Sequence, residues 1–145
     1  MLINIIIGLV LIGLTVIIQG FGTILWLNYV RKHTLFITSE EFIKKRFQIL
    51  VFSALFLLML HFFEASLWAL VYYLDPNITT FETFEKSLYF SLVTFTTLGY
   101  GDITIGSGSR ILAGFEAANG VLMLGWSTAL MFTTVNYIFE ISEKK

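Results

Sequence analysis

The chain has 145 residues, of which 57% are hydrophobic and only 13% are charged, and its formal net charge is −1. A soluble domain is usually about a quarter charged, so this composition indicates a membrane protein with one small domain and little mass outside the bilayer. The near-neutral charge gives no sign of nucleic-acid binding, and the absence of cysteine excludes disulfides and thiol chemistry.

The first predicted element is a membrane-spanning helix in residues 1–30, because residues 2–30 contain no charged side chain. About 20 mainly apolar residues are enough to span, and this run is too long and lacks the basic leader of a signal peptide. Without a series of arginines it is not a voltage sensor. It either docks on the helices predicted later in the chain or on a partner through its small residues, or serves as a lipid-facing anchor. Its small and polar residues include Asn4, Gly8, Gly13, Gln19, Gly20 and Gly22.

A basic loop is predicted next, in residues 31–46. Its basic residues are Arg31, Lys32, Lys44, Lys45 and Arg46. Basic residues favour the cytoplasmic side of a membrane, so this loop and the short tail 141–145 are predicted to be cytoplasmic. Residues 75–86, with three acids and one lysine, are predicted to lie outside. The N-terminus is therefore expected outside and the C-terminus inside.

Two further membrane-spanning helices are predicted in residues 47–74 and 109–140. Between them, residues 83–95 are too short to span, at roughly 20 Å of helix, and they suit a re-entrant helix. Non-helical backbone after such a helix survives at membrane depth only where protein buries it or it lines a wet cavity. Thr79 and Glu82 form a capping-box pattern that predicts a helix start before residue 83.

Residues 96–102, with the sequence Thr-Thr-Leu-Gly-Tyr-Gly-Asp, give the functional prediction. A potassium pore replaces the water around its ion with rings of backbone carbonyls, one strand from each of four copies. Carbonyls of one strand all turn inward only where the backbone reaches positive φ, and two glycines in this stretch, two residues apart, allow that. The predicted ion-binding strand is Thr97, Leu98, Gly99, Tyr100 and Gly101, with K⁺ bound by the carbonyls of the first four and by the Thr97 hydroxyl.

This stretch strongly resembles the selectivity filter of the potassium channel family, whose common form has valine at the position of Leu98. The resemblance covers residues 47–140 as outer helix, pore helix, filter and inner helix. It implies an all-α membrane protein whose working unit is a homotetramer in the lipid of a bacterial inner membrane. It implies no enzymatic activity and no cofactor, apart from K⁺ ions in the filter. The helix of residues 1–30 has no counterpart in the simplest two-helix members.

The resemblance also assigns supporting residues. Those expected to brace the filter are Thr96, Asp102, Tyr89, Phe90 and Val93, with Asp102 at the outer mouth and hydrogen-bonded to Tyr89. Gly120 falls at the family's inner-helix hinge. The other inner-helix positions that resemble cavity-lining or small positions are Val121, Leu124, Gly125, Thr128 and Phe132.

Three ionisable residues inside the predicted spans form a further candidate site. His61 and Glu64 are three residues apart on one helix face, and Glu116 lies at a similar depth in the inner helix. Ionisable groups in membranes usually face protein or water, so we expect these three to meet behind the filter. One carboxylate would then hold a proton, or His61 would take one. The hypothesis is that this proton count biases opening; the alternative is a static hydrogen-bonded group.

Three other functions remain open at this stage. A weakly selective cation pore would be favoured by an acid in place of Tyr100, which this chain does not have. A non-conducting regulatory subunit would be expected to have a broken filter motif. A membrane enzyme built on His61, Glu64 and Glu116 would need a nucleophile or a set of metal ligands as well.

Overall fold

A computed structural model describes residues 2–34, 42–106 and 108–143. The described residues form four helices: α1 (Leu2–Thr34), α2 (Phe42–Leu74), α3 (Phe84–Phe95) and α4 (Arg110–Glu143). Helices α1, α2 and α4 are each long and apolar enough to cross a membrane. The prediction of an all-helical protein with three long apolar helices is therefore confirmed.

Both helices that flank the predicted basic loop extend into it. Arg31 and Lys32 lie in the last turn of α1, and the basic residues 44–46 lie near the start of α2. Lysine and arginine are good helix formers, and cations at a helix C-terminus also interact favourably with its dipole. Residues 35–41 of the predicted loop, and residues 144–145 of the predicted tail, lie outside the described residues.

The start of α3 differs from the prediction. No helix begins at Thr79, because the N-cap is Thr83, whose hydroxyl accepts a hydrogen bond from the Lys86 amide at 3.3 Å. Glu82, which was predicted to complete a capping box, instead accepts a hydrogen bond from the Lys86 ammonium at 2.6 Å. A cap must have an extended backbone, and Thr83 has it, with φ −132° and ψ 153°.

The helices form a bundle in which α3 packs between α2 and α4 near one end. α2 runs antiparallel to α1, since Gly22 packs against Leu60 while Trp26 stacks on Phe56. One buried cluster surrounds α3 and includes Leu11, Trp68, Tyr72, Phe90, Phe95, Leu112 and Met123. A second cluster, at the other end, consists of Trp26, Val30, Ile49, Leu57, Leu130 and Ile138. The first cluster packs around α3 and so holds in place the helix from whose end residues 96–102 continue.

Helix α1 docks on α4, which runs parallel to it. Three polar side chains of α1 donate hydrogen bonds to α4 or to the loop before it. These bonds join Asn4 to the Gly108 carbonyl at 2.7 Å, Thr15 to Asn119 at 3.0 Å and Gln19 to Ser127 at 2.8 Å. Gly8 allows close approach, because a Cβ at this position would lie 3.0 Å from the Phe115 ring. Of the two interpretations of residues 1–30, the structure therefore shows docking on the rest of the chain.

Candidate functional site

The backbone turns back on α3 directly after that helix ends. Gly99 has φ 54° and Gly101 has φ 78°, as the sequence predicts for a strand that turns its carbonyls to one side. Thr97 also has a positive φ, of 61°, which the sequence did not predict. A non-glycine residue in this region costs of order 1 kcal/mol, so the surrounding hydrogen bonds must hold it there.

Those hydrogen bonds come from the amides of the segment itself. The Leu98 and Gly99 amides both donate to the Val93 carbonyl, at 2.9 and 3.2 Å, and the Thr97 amide donates to Thr94 at 2.9 Å. In a planar trans peptide the carbonyl points opposite to the amide hydrogen. The Thr97 and Leu98 carbonyls, which share peptide units with the Leu98 and Gly99 amides, therefore point away from α3. They form a row of acceptors on the free side of the segment.

Residues 96–102 are exposed in a single chain. The side chain of Leu98 is 55% exposed and that of Tyr100 is 67% exposed. Both values are high for large apolar or aromatic side chains, and the nearby residues Phe95 and Ile105 are by contrast buried. The segment is thus well ordered by α3 on one side and uncovered on the other.

The five predicted supporting residues lie at the ends of this segment or next to it in α3. Tyr89 donates a hydrogen bond to Asp102 at 2.8 Å, which confirms the predicted contact. This hydrogen bond, with a smaller effect of desolvation, raises the pKa of Tyr89 above its usual value of 10.0. Phe90 and Val93 line a cavity of about 370 Å³ together with both glycines of the segment. The Thr96 hydroxyl donates to the Leu92 carbonyl at 2.7 Å and so closes the last turn of α3.

Helix α4 has one buried face and one exposed face along its length. The four positions predicted to line a cavity and the predicted small position Gly125 all lie on the exposed face. They are Val121, Leu124, Gly125, Thr128 and Phe132. The opposite face, with Glu116, Asn119, Met123, Ser127 and Leu130, is buried against the other helices. The exposed face of α4 is therefore not covered by the other described helices of the chain.

Gly120 packs closely against the backbone at the end of α3. A Cβ at this position would lie 2.6 Å from the carbonyl carbon of Phe95, and closer still to its oxygen. Phe95 is the last residue of α3, and α4 continues without interruption through Gly120. The structure thus gives this glycine a packing role at the base of the segment, a role that the predicted hinge did not include.

The three predicted buried ionisable residues do not form one group. His61 and Glu64 pair with each other, with the His61 Nδ1 3.1 Å from the Glu64 Oε2. Glu116 instead accepts a hydrogen bond from the Tyr72 hydroxyl at 2.6 Å and contacts the Ser91 hydroxyl. Similar depth did not place the groups together, because the direction of each side chain around its helix also decides its neighbours. Tyr72 and Ser91 were missed, although a buried carboxyl needs polar partners of this kind.

Comparison with known proteins agrees with this arrangement. A family described as ion channel matches residues 47–137, which is more than half of the chain, and it is not a family of enzymes. No curated protein and no solved structure matches the chain significantly. The matched residues contain most of α2, all of α3, the exposed glycine segment and most of α4. The chain therefore belongs to the ion channel family.

Proposed function

We propose that this protein is a potassium-selective channel that conducts K⁺ passively across the membrane. The observation that supports it best is the direction of the Thr97 and Leu98 carbonyls, which the amides bonded to Val93 turn away from α3. Gly99 and Gly101, which both have positive φ, extend the same exposed strand. Rings of such carbonyls replace the hydration shell of K⁺. The proposed ligands are the carbonyls of Thr97, Leu98, Gly99 and Tyr100 and the hydroxyl of Thr97.

The working unit in this proposal is a homotetramer. One strand has acceptors on one side only, so an ion is enclosed only when several strands face a common axis. The exposed face of α4, on which Phe132 is 66% exposed, and the exposed side chain of Tyr100 provide surface for the contacts between copies. Below the filter, the exposed face of α4 would line the cavity.

In the tetramer α3 acts as the pore helix. Its C-terminal end lies directly before the filter, and the last carbonyls of a helix carry partial negative charge. This charge favours a cation in the cavity below the filter. Asp102, held by Tyr89, belongs to the outer mouth of the pore in this arrangement.

The proposed orientation places the filter on the outer side of a bacterial inner membrane. The basic residues Arg31, Lys32 and 44–46 lie at the opposite end of the bundle from residues 96–102. Basic residues of short loops favour the cytoplasm, so the N-terminus would be outside. A tag at Met1 should be labelled only from the outer face of intact cells. Labelling only from the cytoplasmic face contradicts this orientation.

Potassium uptake into liposomes that contain the purified protein tests the proposal. The informative variant is Gly99→Ala, since its Cβ would meet nothing within 4 Å in the chain and the substitution acts through the φ of 54°. The matched control is Gly106→Ala, where the space is equally open and φ is not positive. We expect uptake with the wild type and the control, and its loss with Gly99→Ala. No uptake by the assembled wild type, or equal uptake by all three, contradicts the proposal.

A further inference from the structure

A hydrogen-bonded cluster joins three helices behind the proposed filter. Glu116 of α4 is fully buried, and its Oε2 accepts the Tyr72 hydroxyl of α2 at 2.6 Å. Its Oε1 contacts the hydroxyl of Ser91 in α3, and that same hydroxyl lies 2.6 Å from the backbone carbonyl of Ala65 in α2. We refer to Glu116, Tyr72, Ser91 and the Ala65 carbonyl as the Glu116 cluster.

The number of protons in the Glu116 cluster decides the state of the carboxyl. A serine hydroxyl has one proton to donate, and a carbonyl has none. Ser91 has two close oxygen neighbours, the Ala65 carbonyl and the Glu116 Oε1, and its single hydrogen can make a full, linear bond to only one of them. With an ionised Glu116, one of these oxygen pairs would be in contact with no hydrogen between them. A proton on Oε1 solves this: Tyr72 donates to Glu116, Glu116 donates to Ser91, and Ser91 donates to Ala65.

The surrounding charges agree with a neutral carboxyl. Among the described residues, Glu116 has no ion pair. On α2 the facing titratable group is Tyr72, while Glu64, next to Ala65, is paired with His61. On α3 the group that faces Glu116 is a hydroxyl, and α1 contains no ionisable side chain in residues 2–28. An ionised carboxylate buried without a cation is costly, and among the described residues no cationic side chain pairs with Glu116 to offset that cost.

We propose that Glu116 is held as a neutral carboxylic acid that donates a hydrogen bond to Ser91, and that this bond positions α3 behind the filter. Ser91 lies two residues before Val93, whose carbonyl accepts the Leu98 and Gly99 amides. A shift of α3 at Ser91 therefore moves the acceptor that orients the filter carbonyls. Glu116 is in this sense a positioning residue for ion selection. The protonation is independent of the proposed function, whereas its effect on selectivity rests on it.

Infrared spectroscopy of the reconstituted protein tests the protonation directly. A protonated carboxyl has a carbonyl stretch above the amide I band, which an ionised carboxylate lacks. We expect this band at neutral pH in the difference between the infrared spectra of the wild type and of Glu116→Gln. The matched control is Glu82→Gln, because Glu82 is exposed and paired with Lys86, and its difference spectrum should lack the band. Absence of the band from the Glu116 difference overturns the proposal.

The ratio of potassium to sodium flux in liposomes tests the positioning role. Glutamine has one acceptor and an amide donor, so Glu116→Gln can reproduce both bonds and should keep the wild-type ratio. Glu116→Leu and Ser91→Ala remove the bond, and we expect the ratio to fall about tenfold, as ~1.4 kcal/mol of lost positioning would give. An equal fall with Glu116→Gln, or no fall with Ser91→Ala in assembled tetramers, overturns this role. If the wild type itself shows no potassium selectivity, the proposed function and this role fail, and the infrared result still decides the protonation.

Discussion

The substitution Gly120→Ala separates a packing role of this glycine from a hinge role. An alanine Cβ would lie 2.6 Å from the carbonyl carbon of Phe95, whereas ordinary contacts begin at 3.4 Å. The obstacle is backbone at the end of α3, which cannot rotate away as a side chain can. Helix α4 would have to withdraw by about 0.8 Å from that carbon alone, and the buried cluster that contains Phe95 and Met123 would loosen with it.

The expected loss of stability follows from two opposing effects. Overpacking of a tight site costs about 1–3 kcal/mol and sometimes more, and a backbone obstacle places this site near 3 kcal/mol. Alanine is a better helix former than glycine by about 1 kcal/mol. The net destabilisation should therefore be about 2 kcal/mol for each chain. Gly114→Ala lies in the same helix, and its added Cβ would meet no atom within 4 Å, so it should show only the gain in helix propensity.

Thermal unfolding of the purified protein in detergent, followed by tryptophan fluorescence, measures both variants. We expect Gly120→Ala to unfold at a lower temperature than the wild type and Gly114→Ala at the same or a higher temperature. A hinge role alone predicts instead that Gly120→Ala changes the open probability while its stability equals that of the control. Equal unfolding temperatures for the two variants would refute the packing argument.

Two further predictions concern single hydrogen bonds. Because the Tyr89 bond to Asp102 favours the neutral phenol in the folded protein, this bond is intact at neutral pH and is lost only as pH rises through the raised pKa of Tyr89. Asp102→Asn should lower that pKa toward 10.0, measured as tyrosinate absorbance against Tyr89→Phe; an unchanged titration contradicts the bond. The buried bond from Gln19 to Ser127 should give a coupling of about 0.6 kcal/mol in a double-mutant cycle of Gln19→Leu and Ser127→Ala, measured by unfolding in detergent, and zero coupling argues against docking of α1 through this bond.

The three spans could be predicted because length and apolar content alone determine whether a helix crosses a bilayer. The end of α2 at Leu74 also follows from the sequence, since Asp75 precedes the single proline and a residue before proline disfavours helical backbone. The starts were less predictable. Helix α2 begins five residues before the predicted position, because its basic first turns favour helix as much as loop.

The rotation of each span could not be predicted. Residues that face lipid and residues that face protein are equally apolar in a membrane, so α1 has no periodic pattern that marks its buried face. Only its polar residues indicate which face is buried. Asn4 is buried against the loop before α4, and Gln19 is buried against α4. Thr15 lies on the same buried face, where it bonds to Asn119, but a threonine in an apolar run is too common to single out from the sequence.

The partners of Glu116 were unpredictable for the same reason. Its depth along α4 could be estimated from the helix rise, and that depth also fitted Glu64. The direction of its side chain depends on how α2, α3 and α4 cross, and this brings Tyr72 and Ser91 to it. The positive φ at the two glycines, in contrast, was predictable, because it follows from the residue type and the need for one-sided carbonyls.

The central claim is that residues 96–102 select potassium over sodium. Its most direct test is the reversal potential of the reconstituted channel in a planar bilayer, with potassium on one side and sodium on the other. The carbonyl arrangement predicts a reversal potential displaced far toward the potassium equilibrium potential, so that potassium permeates well above sodium. A reversal potential near zero, which means equal permeability of the two ions, would contradict it.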